Sequence, residues 1–249
     1  MPDENPHLYR HARHVALAQV GADGQARIGA GTALLIGVGG IGCSAASYLT
    51  SSGVGHLLLC DFDTVDATNL GRQILYGPDD IGKLKVPQAA ARLAQINPDI
   101  HVSAITERLD DTAMAQAVEQ ADVVLDGSDN FATRFQVNDA CVSAKTCLIS
   151  GAAIRLEGQL AVFGPDFTAS PCYRCLYEEA DESLDNCAGN GVLGPVPGTI
   201  GTLMAVEALK FLAGIESPRG VLRLFDAMSG DFRSVSIAKR NNCRCWSAS

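Results

Sequence analysis

Ala33-Leu34-Leu35-Ile36 runs directly into Gly37-Val38-Gly39-Gly40-Ile41-Gly42. Nineteen residues after Gly42, a second apolar run, Leu57-Leu58-Leu59-Cys60, ends on Asp61. An apolar strand, a glycine turn, a helix, a second strand and an acid, in that order, form the G-x-G-x-x-G nucleotide fingerprint. Each part has a local physical reason. Glycine lets the chain turn sharply and its backbone approach a phosphate. The helix that follows points free N–H groups and its positive dipole end at the same place. A carboxylate at the tip of the second strand reaches a ribose hydroxyl. The fingerprint alone leaves NAD, FAD and ATP open.

Outward from this stretch, the alternation continues. Helices are expected over Ile41–Ser52, Val86–Ile96, Asp111–Gln120 and Phe131–Ala144. Strands are expected over Ile100–Ile105, Asp122–Asp126 and Thr146–Ser150. Regular alternation of this kind predicts a parallel sheet covered by helices on both faces. After Gly151 the pattern changes to strands at Gln159–Phe163, Val221–Phe225 and Arg233–Ile237, with a helix at Ile200–Leu212. The expected fold is α/β: a Rossmann-like, doubly wound, mostly parallel sheet, extended by antiparallel strands in its C-terminal part. One domain over 1–249 is expected, with a polar N-terminal arm (1–31), a nucleotide-binding core (32–150) and a mixed-sheet extension (151–249). A loop at about 178–198, rich in acids, glycine and proline, is expected to be mobile, and the tail is cysteine-rich.

Composition narrows the function. The 249 residues are 47% hydrophobic, enough for a large core, and carry a formal charge of -9. That balance argues against a nucleic-acid partner. No signal peptide is evident at Met1-Pro2-Asp3-Glu4-Asn5, and no apolar run reads as a membrane span, so the expectation is cytoplasmic. Nine cysteines, an odd number without a secretion signal, fit metal binding better than a disulfide framework.

The chemistry is chosen by charged residues that follow successive strands. Asp63 comes after Asp61, then Asn69-Leu70-Gly71-Arg72-Gln73, Gly82-Lys83-Leu84-Lys85, and, after the fourth strand, Asp126-Gly127-Ser128-Asp129-Asn130. Ligands of doubly wound sheets sit at the carboxyl ends of the strands. The topology would therefore bring Arg72, Lys85 and Asp129 to the glycine turn. Two cations and a carboxylate suit a triphosphate with magnesium, which prefers hard oxygen ligands. Taken singly, each residue has a plainer reading. Arg72 and Lys85 read as solvated charges, Asp63 as a turn residue, and Asp129 as the cap of the helix that starts near Phe131.

Together these segments resemble the MoeB/ThiF/HesA family, relatives of the ubiquitin-activating enzymes. The resemblance includes Gly37 to Gly42, Asp61-Phe62-Asp63, Asn69 to Gln73, Lys85, Ser128-Asp129-Asn130, Ser150 to Arg155, Cys172-Tyr173-Arg174-Cys175 and Phe225-Asp226-Ala227. It implies ATP-dependent adenylation of the C-terminal glycine of a small ubiquitin-like sulfur carrier ending in Gly-Gly, with release of pyrophosphate. Matching motif to motif, Gly40 resembles the backbone contact to the nucleotide, and Gly37, Gly39 and Gly42 of the same turn are expected to help bind it. Asp61 resembles the ribose-binding acid, and Asn69, Arg72 and Lys85 the phosphate-handling residues. Asp63 and Gln73 fall within the same site. Asp129 resembles the magnesium-binding acid, with Asn130 beside it. Arg13 resembles an arginine that reaches the ATP of the other subunit, which implies a homodimer. No nucleic acid and no membrane enter this picture, and sulfur would come from a separate donor.

The cysteines divide. Cys172 and Cys175 form C-x-x-C, and Cys243-Arg244-Cys245 is one residue short of a second such pair, so a structural Zn2+ site of four thiolates is expected with altered geometry. Cys187, within the acidic loop, is a candidate for covalent attachment of the carrier, as in the thiamine-type relatives. Cys43, Cys60, Cys141 and Cys147 are expected to be buried and inert. Ser150 to Gly158 resembles the molybdopterin-type relatives, whereas Gly220 to Asp226 and Asn186-Cys187 resemble the thiamine type. The balance favours the molybdopterin type slightly. The alternatives are an NAD-dependent oxidoreductase, for which Arg72, Lys85 and Asp129 have no purpose, and a non-catalytic scaffold that binds a carrier tail.

Overall fold

The structure is a computed structural model and describes residues 9–177, 191–243 and 245. The arm contributes a short helix α1 (Ala12–Val15) and α2 (Gly21–Ala30). Then follow β1 (Thr32–Ile36), α3 (Gly40–Ser51), β2 (His56–Cys60), α4 (Lys85–Ile96), β3 (His101–Ile105), α5 (Asp111–Glu119), β4 (Val123–Asp126) and α6 (Phe131–Ala144). The C-terminal part holds β5 (Cys147–Ile154), β6 (Glu157–Phe163), a one-turn helix α7 (Tyr173–Leu176), α8 (Pro195–Ala213), β7 (Val221–Asp226) and β8 (Asp231–Ser236).

All eight strands form one sheet in the order β3-β2-β1-β4-β5-β6-β7-β8. The first five are mutually parallel, and β5 through β8 are antiparallel. This is the expected mostly parallel sheet with an antiparallel extension. Strand order reverses between β1 and β4, and that switch point opens a crevice at the carboxyl ends of the strands. The register fixes the crevice floor: Ile36 lies opposite both Cys60 and Asp126, so β1, β2 and β4 end at one level.

The apolar strands bury both faces, and their period of two sorts the side chains between them. Leu35, Leu57, Leu59, Val123, Leu125 and Ile149 face the side covered by α3 and α8. Leu34, Leu58, Val124 and Leu148 face the side of α5 and α6, with Met114, Val118 and Phe135. α8 lies against α3 so closely that a Cβ at Gly201 would sit 2.1 Å from the Ile41 carbonyl oxygen. Only glycine permits that backbone approach.

Several expectations are corrected. α8 starts at Pro195, not Ile200, so residues 195–198 of the expected loop are helical. Of the rest of the loop, 191–194 are described and 178–190, including Cys187, fall outside the described residues. β5 extends to Ile154 because it pairs with β6 along its full length. The last strand runs Asp231–Ser236 instead of Arg233–Ile237, and all six of its residues are exposed, since it is the sheet edge. The arm is only partly an appendage, because Ile28 of α2 is buried in the core. One apolar run does reach membrane-spanning length, Pro195–Ala213, 19 residues with mean hydropathy 1.3. Its apolarity is explained by core packing against α3 and β5: Ile200, Met204, Ala205 and Ala208 are all within 1% of full burial.

Candidate active site

The glycine turn is built as its sequence requires. Gly37 has φ +82°, a conformation side chains rarely adopt, and a Cβ on Gly42 would lie 2.0 Å from the Gly37 carbonyl oxygen. The turn is held from both sides at Val38. Its N–H donates to Asp61 Oδ2 at 2.8 Å, and its carbonyl accepts from Tyr76 Oη at 2.9 Å. Asp61 Oδ1 accepts from the Asp63 N–H at 2.9 Å. Burial pushes the Asp61 carboxyl pKa up, against the opposing charge of Lys85 and the two N–H donors. Asp61 therefore both orders the turn and stands at its edge.

Lys85 begins α4 and is 6% exposed. Its Nζ lies 2.9 Å from Asp63 Oδ2 and 3.9 Å from Asp61 Oδ2. It is a buried cation paired with the two carboxylates that follow β2, which excludes the plain reading of a solvated charge. Asp63 is exposed.

The Asn69–Gln73 segment closes the next wall. Asn69 ends a short 3-10 helix (Ala67–Asn69), and its side-chain oxygen accepts from the Asp66 N–H at 3.2 Å. Arg72 is half-buried. Its Nη1 donates to the Thr68 carbonyl at 2.9 Å, and its Cγ comes near Gly40. Gln73 is 3% exposed and lies beside Gly39, and its Oε1 has no partner among the described residues. The start of α8 packs here too: Pro197 rests against Gly40, and Gly194 against the Gly71 carbonyl.

After β4, Asp126 Oδ1 accepts from the Ser128 N–H at 3.0 Å. Asn130, not Asp129, caps α6, its side chain accepting from the Thr133 N–H at 2.9 Å. The capping job that the plain reading gave to Asp129 is thus taken, and Asp129 is exposed. Burial pushes the Asp126 carboxyl pKa up, with the charge of Arg134 working against it. Asp126 Oδ2 and Ser128 Oγ, like Gln73 Oε1, are buried oxygens without partners among the described residues. Buried polar atoms are ordinarily hydrogen-bonded. Three such oxygens among the segments that form the crevice fit a polar ligand there.

Gly37, Gly39, Gly40, Gly42, Asp61, Asp63, Asn69, Arg72, Gln73, Lys85, Asp129 and Asn130 belong to the segments around this crevice. Arg13 does not come to it. The arm docks through His11, which packs against Gly53, and Gln25, which donates to the Ser52 carbonyl at 3.0 Å. That is the far end of α3, about 18 Å along its axis from the glycine turn. Sequence reasoning gave no role to Tyr76, which holds the glycine turn, to the buried Asp126, or to Arg134. Arg134 and Asn138, four apart and so on one helix face, were the available signal.

The cysteines form a second centre. The sulfurs of Cys172, Cys243 and Cys245 lie within 4.8 Å of one another, with 3.5 Å between Cys172 and Cys243. Cys175 lines the same small pocket. Cys43, Cys60, Cys141 and Cys147 are buried as expected. Burial pushes the thiols of Cys43 and Cys60 up to about 12 and Cys147 to about 11, so they stay protonated and inert.

A switch-point crevice with a glycine turn, a buried lysine and an outward-facing aspartate defines a nucleotide-binding enzyme of the doubly wound class. The ThiF family model matches residues 11–247, and the chain belongs to that family. It is 45% identical over 234 residues to the sulfur carrier protein ThiS adenylyltransferase of Escherichia coli strain K12, covering 94% of this chain and 93% of that one. It is 42% identical over 237 residues to the molybdopterin-synthase adenylyltransferase of the same organism, covering 95% of each. Among solved structures, E. coli MccB with ATP superposes with TM-score 0.82 at 25% identity, over 97% of this chain and 74% of that one.

Proposed function

We propose that the protein is an ATP-dependent adenylyltransferase that activates the C-terminal glycine of a ubiquitin-like sulfur carrier as its acyl-adenylate. The observation that carries this reading is the common level of β1, β2 and β4, which gathers the glycine turn, Asp61 with Lys85, and the Asp129 turn around one crevice. Two relatives, one named as the adenylyltransferase of the sulfur carrier protein ThiS and one as that of molybdopterin synthase, each more than 40% identical across nearly the whole chain, support it. The oxidoreductase alternative has no such support.

The carrier carboxylate attacks the α-phosphorus of ATP, the bond from that phosphorus to the bridging oxygen breaks, and pyrophosphate leaves. No protein nucleophile is needed. The difficulty is an anion approaching an anion while charge builds on the leaving group, so fixed cations and positioning lower the barrier. The glycine turn and the α3 N-terminus receive the phosphates. Asp61 orients the ribose, and Lys85 and Arg72 meet phosphate oxygens. Magnesium suits the exposed Asp129 carboxylate and the unpartnered oxygens near it, and when bound it supplies positive charge to the phosphates. Arg13 comes from the second subunit of a homodimer. Sulfur is delivered by a separate donor, and Cys187 is not required for the adenylation step.

Zinc suits the cysteine cluster. Four thiolates at 2.3 Å from one ion stand about 3.8 Å apart, close to the Cys172–Cys243 separation. The role is structural, pinning the tail to α6 and α7. Metal analysis of protein purified without added zinc is expected to give about one equivalent per chain, and less than half of that would count against the site.

The central test is ATP–pyrophosphate exchange with a molybdopterin-synthase-type carrier and a thiazole-type carrier. Arg72→Ala and Asp129→Ala are expected to keep the wild-type circular dichroism and lose exchange by about 100-fold or more. Retained exchange in both variants would reject the assignment.

A further inference from the structure

Arg134 stands in the first turn of α6 and is 9% exposed. Burying a guanidinium costs free energy unless its donors are satisfied. Two of the donors go to a single atom: Nε and Nη2 reach the Ser128 carbonyl oxygen at 3.2 and 2.6 Å. A third, Nη1, is 3.4 Å from the Tyr173 hydroxyl. The two-pronged grip falls on the residue just before Asp129. The rest of the turn is fixed on either side, by Asp126 at the Ser128 N–H and by the Asn130 cap at Thr133. Arg134 supplies the middle restraint, on the carbonyl that leads into Asp129, whose own Oδ1 lies 3.5 Å from Asn130 Nδ2.

The other side of Arg134 is held from the cysteine cluster. Asn138, one turn further along the same face of α6, accepts from the Tyr173 N–H at 2.8 Å. Asp139 pairs with Arg174 through two contacts of 2.6 Å. Tyr173 directly follows Cys172, and Asn138 Nδ2 lies 3.5 Å from Cys245 Sγ. α6 thus has its N-terminus in the nucleotide crevice and, about 12 Å along, its middle against the cysteines.

We propose that Arg134 is a positioning residue: its grip on the Ser128 carbonyl sets where Asp129 presents its carboxylate, and the Tyr173 hydroxyl, anchored beside Cys172, keeps Arg134 in place. This rests on the reading of Asp129 as the acid that meets magnesium on the nucleotide. A merely structural arginine would affect stability and leave the magnesium dependence alone.

The experiment is a magnesium titration, read both as exchange rate and as ATP affinity by calorimetry with and without magnesium. The proteins are wild type, Arg134→Met, Arg134→Lys, Tyr173→Phe and Asp129→Ala. Outer partners of metal-binding groups affect metal affinity by about 10- to 100-fold. Arg134→Met is expected to raise half-saturating magnesium by about 10-fold or more while ATP affinity without magnesium stays within about 2-fold. Arg134→Lys is expected to recover most of that shift, and Tyr173→Phe to show a smaller one. Wild-type magnesium dependence in a folded Arg134→Met overturns the inference. If Arg134→Met does not fold, wild-type dependence in both Arg134→Lys and Tyr173→Phe overturns it equally. Exchange retained in Asp129→Ala would instead remove the reading of the site, whereas a dead Asp129→Ala beside a normal Arg134→Met removes only the role of Arg134.

Discussion

Gly42 and Gly71 show how unequal two glycines of one site can be. A Cβ at Gly42 would sit 2.0 Å from a backbone oxygen that cannot move away, while one at Gly71 would meet nothing within 4 Å. Gly42→Ala is expected to destabilise the protein by about 2 kcal/mol or more and to weaken ATP binding. Gly71→Ala should stay within about 0.5 kcal/mol of wild type. Thermal unfolding and calorimetry compare them, and equal behaviour would contradict the geometry. At this scale the sequence was readable where a residue type has one reason to be present. Glycines before a helix and an acid at a strand tip are such cases. It was ambiguous for Asp129 and Asn130, either of which caps a helix well, and for Arg134, whose type ordinarily means a solvated surface.

At the scale of the element, β2 and β3 carry a histidine pair that no spacing rule announced. His56 and His101 are direct register partners on adjacent parallel strands, with ring centroids 4.5 Å apart. Both contact Ser103 Oγ, at 2.9 and 3.2 Å. Burial, and after it the proximity of His101, holds the His56 pKa below its usual value. The folded protein therefore resists a proton that the unfolded chain accepts. Stability from this source is complete above the ordinary histidine pKa of about 6.5 and is lost as pH falls through the folded value. Unfolding midpoints measured from pH 8 to pH 5 should fall more gently in His101→Asn than in wild type, and equal slopes would refute the coupling. Element boundaries followed the same logic of neighbours. The start of α8 reads from sequence as loop, because proline and glycine punctuate it. Packing on Gly40 and Gly71 makes it helix.

For the whole molecule, the decisive matter is the distance between Arg13 and its own crevice. The arm is fastened to the opposite end of α3, a span well beyond an arginine side chain, so a role in catalysis requires a second subunit. Arg13→Ala and Asp129→Ala should each abolish exchange alone. Mixed and reassociated, they should regain about a quarter of wild-type activity, since half of randomly paired dimers are mixed and each of those has one complete site. No regain, with the mixed dimer demonstrated by mass, would place Arg13 outside the mechanism.

The order of strand, glycine turn, strand and acid determined the doubly wound fold and the location of the crevice. Those features depend on local backbone freedom and on short uninterrupted apolar runs, both of which operate between residues close in the chain. Which charges meet was decided by tertiary structure. Lys85 is buried between Asp61 and Asp63, Arg134 turns inward to Ser128 and Tyr173, and the cysteines converge from positions 172 and 243. Such contacts join segments far apart in sequence, and their geometry exists only once the sheet has set the register that brings them together.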